Sequence, residues 1–366
     1  MKNKQSTLFR RLIVLLAASV AAASSTFAQS QAALDNQNPR VREVMAAQNA
    51  VTPGLMNVDG ILGTATGLDD NGNLAVVIYV NKDHANAGQI VSALPKDIRG
   101  HAVKVELTDP FVSYAKPSRG TTSVSHKAKQ SPPIQLGTSG GWSKDLANGY
   151  CCGGTLGSLV DIGGRKYILS NYHVFESDIV SGGNSTYAQT GDPVIQPGLI
   201  DVSCNKNNAQ TVATLEVHHS LPNANVDCSV AQISSGMVAD DGAILEIGTI
   251  SSQTAAAAIS KPVKKSGRTT GLTRSSIAAL NATVSVAYEN ECAGGAAFTK
   301  TFTGQIIIKN RGSSFLNSGD SGSLMVEDIS TNPRAVGLLY AGSSTSAVAN
   351  PINDVLSFLG ATMVGN

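Results

Sequence analysis

Charge is what this 366-residue chain has least of: only 14% of its residues are Asp, Glu, Lys or Arg, against roughly 25% in an average soluble domain. Lys plus Arg number 27 and Asp plus Glu 26, for a net charge of +1. No excess of one sign is present to hold duplex nucleic acid or an anionic membrane face by bulk charge, so neither is an expected partner. A chain this sparsely charged is not kept extended by self-repulsion, which excludes disorder throughout. Other signatures are missing too. No CxxC or Cys/His cluster has metal-ligand spacing, so no structural zinc is expected, and no oxygen-rich loop has EF-hand spacing for calcium. No repeat occurs at solenoid or propeller periods. With 36 glycines and 13 prolines, the composition is neither collagenous nor low-complexity.

The first 28 residues read as an address. Lys2, Lys4, Arg10 and Arg11 precede an apolar run over 12–23, and Thr26 and Ala28 are small residues that suit cleavage after Ala28. That is the pattern of a secretory signal peptide. The run of about twelve residues is short of the roughly twenty that span a bilayer, and no later stretch is longer. Removal of 1–28 leaves 23 basic against 26 acidic residues, a net charge of −3. The expected location is secreted or periplasmic, with no membrane attachment after signal cleavage. Export makes disulfides possible. Cys151, Cys152, Cys204, Cys228 and Cys292 allow at most two bridges and leave one thiol, in a pairing that spacing does not select.

The remaining chain divides by texture. Residues 29–115 form a small α+β module. A helix is expected around 40–50, strands over 60–67 and 74–80 joined by the turn signal Asp69-Asp70-Asn71-Gly72-Asn73, a helix over 85–94 and a third strand over 102–107. This ββαβ unit is plausible as an independent layer. Residues 116–135 are rich in Ser, Thr, Lys and Pro without apolar periodicity, as an exposed linker would be. From 136 to 366, short apolar strands recur between Gly, Asn and Ser turns, over 155–161, 166–170, 211–218, 228–233, 282–288, 304–308, 322–326 and 335–341. Many short strands with few helices mark an all-β barrel or sandwich. One helix closes the chain over 351–359, with Asn350 expected as N-cap and Pro351 in the first turn.

Three segments join a reactive side chain to an apolar strand: His173 in Ser170-Asn171-Tyr172-His173-Val174, Asp227 in Asn225-Val226-Asp227-Cys228, and Ser321 in Gly319-Asp320-Ser321-Gly322. Acyl transfer needs these groups. A serine hydroxyl attacks only if something takes its proton, and an imidazole does so and then passes the proton to the leaving amine. A buried carboxylate fixes the imidazole tautomer. Flanking glycines let the N–H groups of Gly319 and Ser321 point at a developing oxyanion, as an oxyanion hole. Asp201 competes for the carboxylate role, but no strand like that after Asp227 follows it.

On these residues the chain resembles chymotrypsin-fold (trypsin-like) serine proteases, in particular bacterial secreted members carrying an N-terminal extra module. Gly319-Asp320-Ser321-Gly322 matches the nucleophile loop of that family. Cys152-Gly153-Gly154-Thr155-Leu156 resembles the strand ahead of the histidine, and 336–342 the strand that lines the primary pocket and pairs with substrate backbone. The resemblance covers roughly 136–366. It implies two six-stranded β-barrels with the active site in the crevice between them, catalytic His173, Asp227 and Ser321, and a substrate site that includes Phe315 as pocket floor, Ser318, Tyr340, Ala341 and Gly342. Val174 stands where many animal relatives have a cysteine, so their usual bridge to Cys152 is not expected. No acidic residue lies between Arg311 and Asp320, which argues for cleavage after apolar or small residues rather than Arg or Lys.

The expected function is a secreted serine endopeptidase acting on protein or peptide substrates through an acyl-enzyme, with no metal or organic cofactor. The rivals are a catalytically inactive protease-like binding protein and an esterase. The esterase elbow has the chain order Ser before Asp before His, the reverse of the order here. The 29–115 module is either a removable pro-segment, as in a zymogen, or a permanent domain. Lys116, Arg119, Lys127 and Lys129 offer cut sites, with a processed start expected near Gly137.

Overall fold

The computed structural model describes residues 32–113, 124–147, 150–176, 188–288, 298–310 and 315–366. The expected signal at 1–28, the linker before 124, Cys292 and Arg311 lie outside them.

Helix α1 (Pro39–Leu55) begins where Asn38 accepts a hydrogen bond from Arg40 N and Pro39 sits at the first turn, and it buries Val41, Val44 and Ala47. Strands β1 (Ile61–Leu68) and β2 (Leu74–Asn81) pair antiparallel. Their turn is held by Asp69 Oδ1, which accepts from the N–H groups of Asn71 and Asn73 at 2.9 and 2.8 Å. After α2 (Ala87–Ala93) and the short β3 (Asp97–Ile98), β4 (His101–Thr108) lies parallel to β2, a pairing that requires such a crossover. Strand β5 (Phe111–Ser113) ends this module.

The next elements are β6 (Thr138–Trp142), a small hairpin of β7 (Leu146–Ala147) and β8 (Tyr150–Cys151), then β9 (Gly154–Leu156), β10 (Ser158–Ile162) and β11 (Arg165–Ser170). A single helical turn α3 (Tyr172–Phe175) leads towards β12 (Pro193–Gln196), β13 (Gln210–Glu216) and β14 (Ser229–Ile233). The hydrogen-bonded order runs β10-β11-β14-β13-β12-β6-β9, and β9 passes into β10 through Gly157 alone. The six-stranded ring therefore closes on itself around Trp142, Leu156, Leu159, Ile168, Val194, Val212 and Val230.

The second ring comprises β15 (Pro262–Gly267), β16 (Gly271–Tyr288), β17 (Phe298–Lys309), β18 (Leu324–Glu327), β19 (Ala335–Gly342) and β20 (Ser346–Pro351). They follow the order β15-β18-β19-β20-β17-β16, and the β15–β16 pairing closes the barrel. Helix α4 (Ile352–Leu359) and β21 (Thr362–Met363) bring the chain end back to β10. The chain is thus mostly β, a double six-stranded barrel with a C-terminal helix, preceded by the small α+β module.

Several details depart from the expectations. The 18-residue β16 outruns its barrel, and its far half pairs with β1 (Gly63 opposite Val284) and β5 (Phe111 opposite Val286). The module is therefore continuous with the second barrel sheet and is not a free-standing layer. Strand β6 was not anticipated because Thr-Ser-Gly-Gly-Trp is neither an apolar run nor an apolar–polar alternation. Asn350 is not the helix cap: it lies in β20, and Pro351 takes the cap position. Residues 124–135 are mostly exposed, as a linker would be, but Ile134 and His126 are buried. The His126 ring lies 2.8 Å from Gly137 O and 2.6 Å from Glu246 Oε2. Cys151 is bridged to Cys204, and Cys228 is a buried free thiol.

Glu327, at the end of β18, accepts two hydrogen bonds from Arg334, each 2.8 Å, and one of 3.0 Å from Lys261. The Arg334 guanidinium foremost holds this carboxyl down, from 4.5 to about 2. Its folded value is depressed, so its contribution is present above the unfolded value and lost as pH falls towards the folded one. The urea midpoint is expected to drop between about pH 5 and pH 2, and Glu327→Gln is expected to flatten that part of the curve; parallel curves for the two proteins would show that the ion pair contributes nothing.

Candidate active site

The antiparallel register of β11 and β14 sets the first half of the site. Ser170 lies opposite Ser229, so continuing the pairing by two residues carries Asp227 to Tyr172 at the start of α3. There the carboxylate takes its bonds. Asp227 Oδ1 accepts from Tyr172 N at 2.7 Å and from His173 N at 3.4 Å, and Oδ2 lies 2.6 Å from His173 Nδ1. Asn171 Nδ2 donates to Asp227 O at 2.8 Å, and Asp227 N donates to Asn350 Oδ1 at 2.9 Å. Asp227 is fully buried and the His173 side chain is 9% exposed. With Nδ1 donating to the carboxylate, Nε2 carries the lone pair, and that nitrogen is buried with no hydrogen-bond partner. This is the arrangement of a base held in one tautomer.

Asp201, the sequence competitor, is engaged elsewhere. Its oxygens accept from Arg268 Nε and Nη2, each at 2.6 Å, and from Ser139 Oγ at 2.6 Å.

The second half of the site is the loop from Asn317 to Ser323. Gly319 and Gly322 have φ of +90° and +91°, a region that side chains avoid. Space excludes a side chain as well: a Cβ on Gly322 would lie 2.2 Å from Ser170 Oγ, and one on Gly319 would lie 2.7 Å from Arg268 Nη1. Thr155, on β9 of the first barrel, grips the loop twice. Its Oγ1 donates to Gly319 O at 2.9 Å, and its N–H donates to Ser321 O at 2.9 Å. A Cβ on the neighbouring Gly154 would meet Val174 Cγ2 at 2.6 Å and Ser321 O at 2.9 Å. The residue after His173 and the carbonyl of Ser321 thus flank one point, and only glycine leaves room for both.

The peptide planes matter for anion binding. The Gly319 N–H shares its peptide with Ser318 C=O, which accepts from Thr269 Oγ1 at 2.5 Å. The Ser321 N–H shares its peptide with Asp320 C=O, which accepts from Ser323 Oγ at 2.5 Å. In a planar trans peptide the N–H points opposite its carbonyl, so both N–H groups are turned away from these inner partners.

Asp320 anchors the loop from within. Its carboxylate accepts from Thr269 N, Thr270 N, Thr270 Oγ1 and Asn317 N at 2.6 to 3.1 Å. Lys265 Nζ lies 3.4 Å away, and both side chains are fully buried. Burial pushes the Lys265 ammonium below its ordinary value, and the Asp320 charge opposes that shift.

The substrate-site expectations divide. Ala341 and Gly342 lie on β19 as expected, and there β5 is paired with them, Ser113 opposite Ala341 and Val112 opposite Gly342. Tyr340 is buried beside Phe302, with ring centroids 4.9 Å apart, and its hydroxyl has no partner. Ser318 is buried, and its Oγ is likewise unbonded. Phe315 is 1% exposed among Val263, Ile277, Met325 and Leu339, and so serves the interior of the second barrel. Thr155, Lys265, Arg268, Tyr288 and Asn350 were not singled out from sequence as site residues. Only the two adjacent lysines inside the strand Pro-Val-Lys-Lys-Ser carried a signal, since charge in a barrel strand demands a buried partner.

Among known families, that described as the Nal1 C-terminal domain matches residues 221–350. No curated protein matches the chain. It is similar to several solved structures. One is a glutamic-acid-specific serine protease described as using a histidine triad in substrate binding, at 17% identity, with 63% of this chain and 100% of that one covered and a TM-score of 0.40. Another is protease A of Thermobifida fusca, at 21% identity, 64% and 99% coverage and a TM-score of 0.40. A third is a chymotrypsin of Cellulomonas bogoriensis, at 18% identity, 64% and 99% coverage and a TM-score of 0.39.

Lys265→Met is expected to leave Asp320 as a buried charge without a counter-ion, at a cost of about 3–5 kcal/mol in unfolding free energy. A urea titration checks this, and an unchanged midpoint would mean that the backbone and threonine donors suffice.

Proposed function

We propose that the chain is a serine endopeptidase. The observation that carries this reading is the buried His173–Asp227 pair with Nε2 left unbonded, together with the adjacent Val174 and the Ser321 carbonyl meeting at Gly154. Ser321 Oγ attacks the peptide carbonyl while His173 Nε2 takes its proton, and the imidazolium is stabilised by Asp227. The oxyanion forms towards the N–H groups of Gly319 and Ser321. The proton then passes to the departing amine, leaving an acyl-enzyme, and a water activated by the same nitrogen releases the acid. The mechanism calls for no metal or organic cofactor. An inactive binding protein would have no need of a base held in a single tautomer.

Export through residues 1–28, to a secreted or periplasmic location, belongs to the same proposal, as does latency of the product. Strand β5 lies along Ala341 and Gly342, the edge on which a substrate backbone would pair. Phe111 secures it, fully buried and 5.5 Å from the Tyr79 ring. The 29–115 module is therefore proposed as a covering pro-segment. Because His126 and Ile134 are anchored in the body that follows, the processed chain is proposed to start upstream of Val124, at Lys116 or Arg119, rather than near Gly137.

Two outcomes are expected. A fluorophosphonate labels processed protein, and labelling and casein hydrolysis are both lost in Ser321→Ala and in His173→Ala; an unlabelled, inert wild type would support the binding-protein alternative, and labelling without casein hydrolysis an esterase. In the intact chain, Phe111→Ala removes a buried anchor worth about 3 kcal/mol and is expected to raise hydrolysis of an apolar peptide amide at least several-fold. Equal rates for the two intact chains would count against latency.

A further inference from the structure

The His173–Asp227 pair has a third member that the mechanism above does not use. Tyr288 closes β16, is 2% exposed, and donates from its hydroxyl to Asp227 Oδ2 at 2.8 Å. This is the oxygen that faces His173 Nδ1. The Tyr288 ring also stands edge-on to the imidazole, with centroids 5.8 Å apart and planes at 71°. Its own position is fixed by stacking on Phe298 at 4.8 Å and by a tilted contact with Phe302 at 6.4 Å.

A carboxylate has no proton to give, so the phenol must be the donor. Burial first, and then the Asp227 charge, push the Tyr288 phenol far above its ordinary value, so it remains a donor throughout the working range. Two donors converging on one oxygen fix where the carboxylate sits. The edge contact limits how the imidazole rotates about its bond to it.

We propose that Tyr288 is a positioning residue of the active site, which holds the Asp227 carboxylate, and through it the His173 ring, in the orientation that presents Nε2. This rests on the serine endopeptidase reading but makes a separate claim. Other titratable groups lie close by. Cys228 and Tyr340 feel the Asp227 charge, and burial keeps both neutral. Glu176 is raised by burial, bonded to Ser229, and 3.6 Å from His219. Among the described residues Tyr340 Oη has no partner and Glu176 bonds elsewhere, so a change at Tyr288 is distinguishable from a change in either of them.

The test is Tyr288→Phe in the processed enzyme, which keeps the ring and removes one oxygen. Expected are a preserved melting temperature, a fall of about tenfold in kcat with KM little changed, and a shift of the acidic limb of the pH profile to higher pH. The sign follows because a carboxylate with one donor fewer attracts the imidazolium proton more strongly. A folded variant with the kcat and acidic limb of the wild type would overturn the proposal.

A measurement without substitution covers the case in which the variant does not fold. Tyrosines labelled with fluorine in the wild-type chain are expected to show a Tyr288 resonance that moves with pH, and that becomes flat in His173→Ala. A resonance already flat in the wild type would overturn the proposal. A titrating resonance in a protein that hydrolyses no peptide would instead overturn the endopeptidase reading alone.

Discussion

A buried carboxylate is the constraint around which this molecule is arranged. Asp227 is fully shielded from water, and an ionised carboxylate there costs several kcal/mol unless donors surround it. The donors come from different parts of the chain: two backbone N–H groups and an imidazole from α3, and a phenol from the end of β16. Its own N–H reaches Asn350 on β20, and Asn350 in turn donates to Gln305 on β17 at 2.7 Å. Through its carboxylate and its backbone N–H, Asp227 thus ties the first barrel to three strands of the second.

A second buried charge plays the matching part for the loop that carries Ser321. Asp320 collects two backbone N–H groups from Thr269 and Thr270, with Lys265 at 3.4 Å. Thr155 reaches the outer face of the same loop from the opposite barrel. The loop is held from both sides, which suits a function that requires its N–H groups to be in place before substrate arrives. Long β16 links the Asp227 pair to the amino-terminal module. One of its residues, Tyr288, bonds Asp227, and the residue before it, Ala287, pairs with Val112 of β5. The strand that lies along Ala341 and Gly342 therefore leans on the strand that carries the third partner of the pair.

Much of this was legible in the linear order of residues. Alternation exposed β1, short apolar runs between turn residues exposed β2, β11, β14 and β19, and the turn Asp69 to Asn73 exposed the first hairpin. His173, Asp227 and Ser321 stood out because each sits beside an apolar strand in a family-like phrase. Other features were hidden for physical reasons. The Thr-Ser-Gly-Gly-Trp strand is neither an apolar run nor an apolar–polar alternation, so no period marks it. Asn350 reads as a helix cap because Asn, Pro and an apolar face follow one another, yet tertiary contact with Asp227 and Gln305 claims its side chain. Arg268 and Asp201 are 67 residues apart, and nothing local marks either as the partner of the other.

The sequence by itself determined which chemical groups exist, in what order, and which stretches alternate as strands, because those depend on side-chain type and short-range periodicity. Only the tertiary structure decided that Asp227 and not Asp201 meets His173, that Lys265 faces Asp320, that Tyr288 shares an oxygen with the imidazole, and that β5 lies on Ala341 and Gly342. Each of these is a contact across tens to hundreds of residues, set by barrel closure and strand register. A register is chosen by the burial of whole faces, and so by no single residue in the chain.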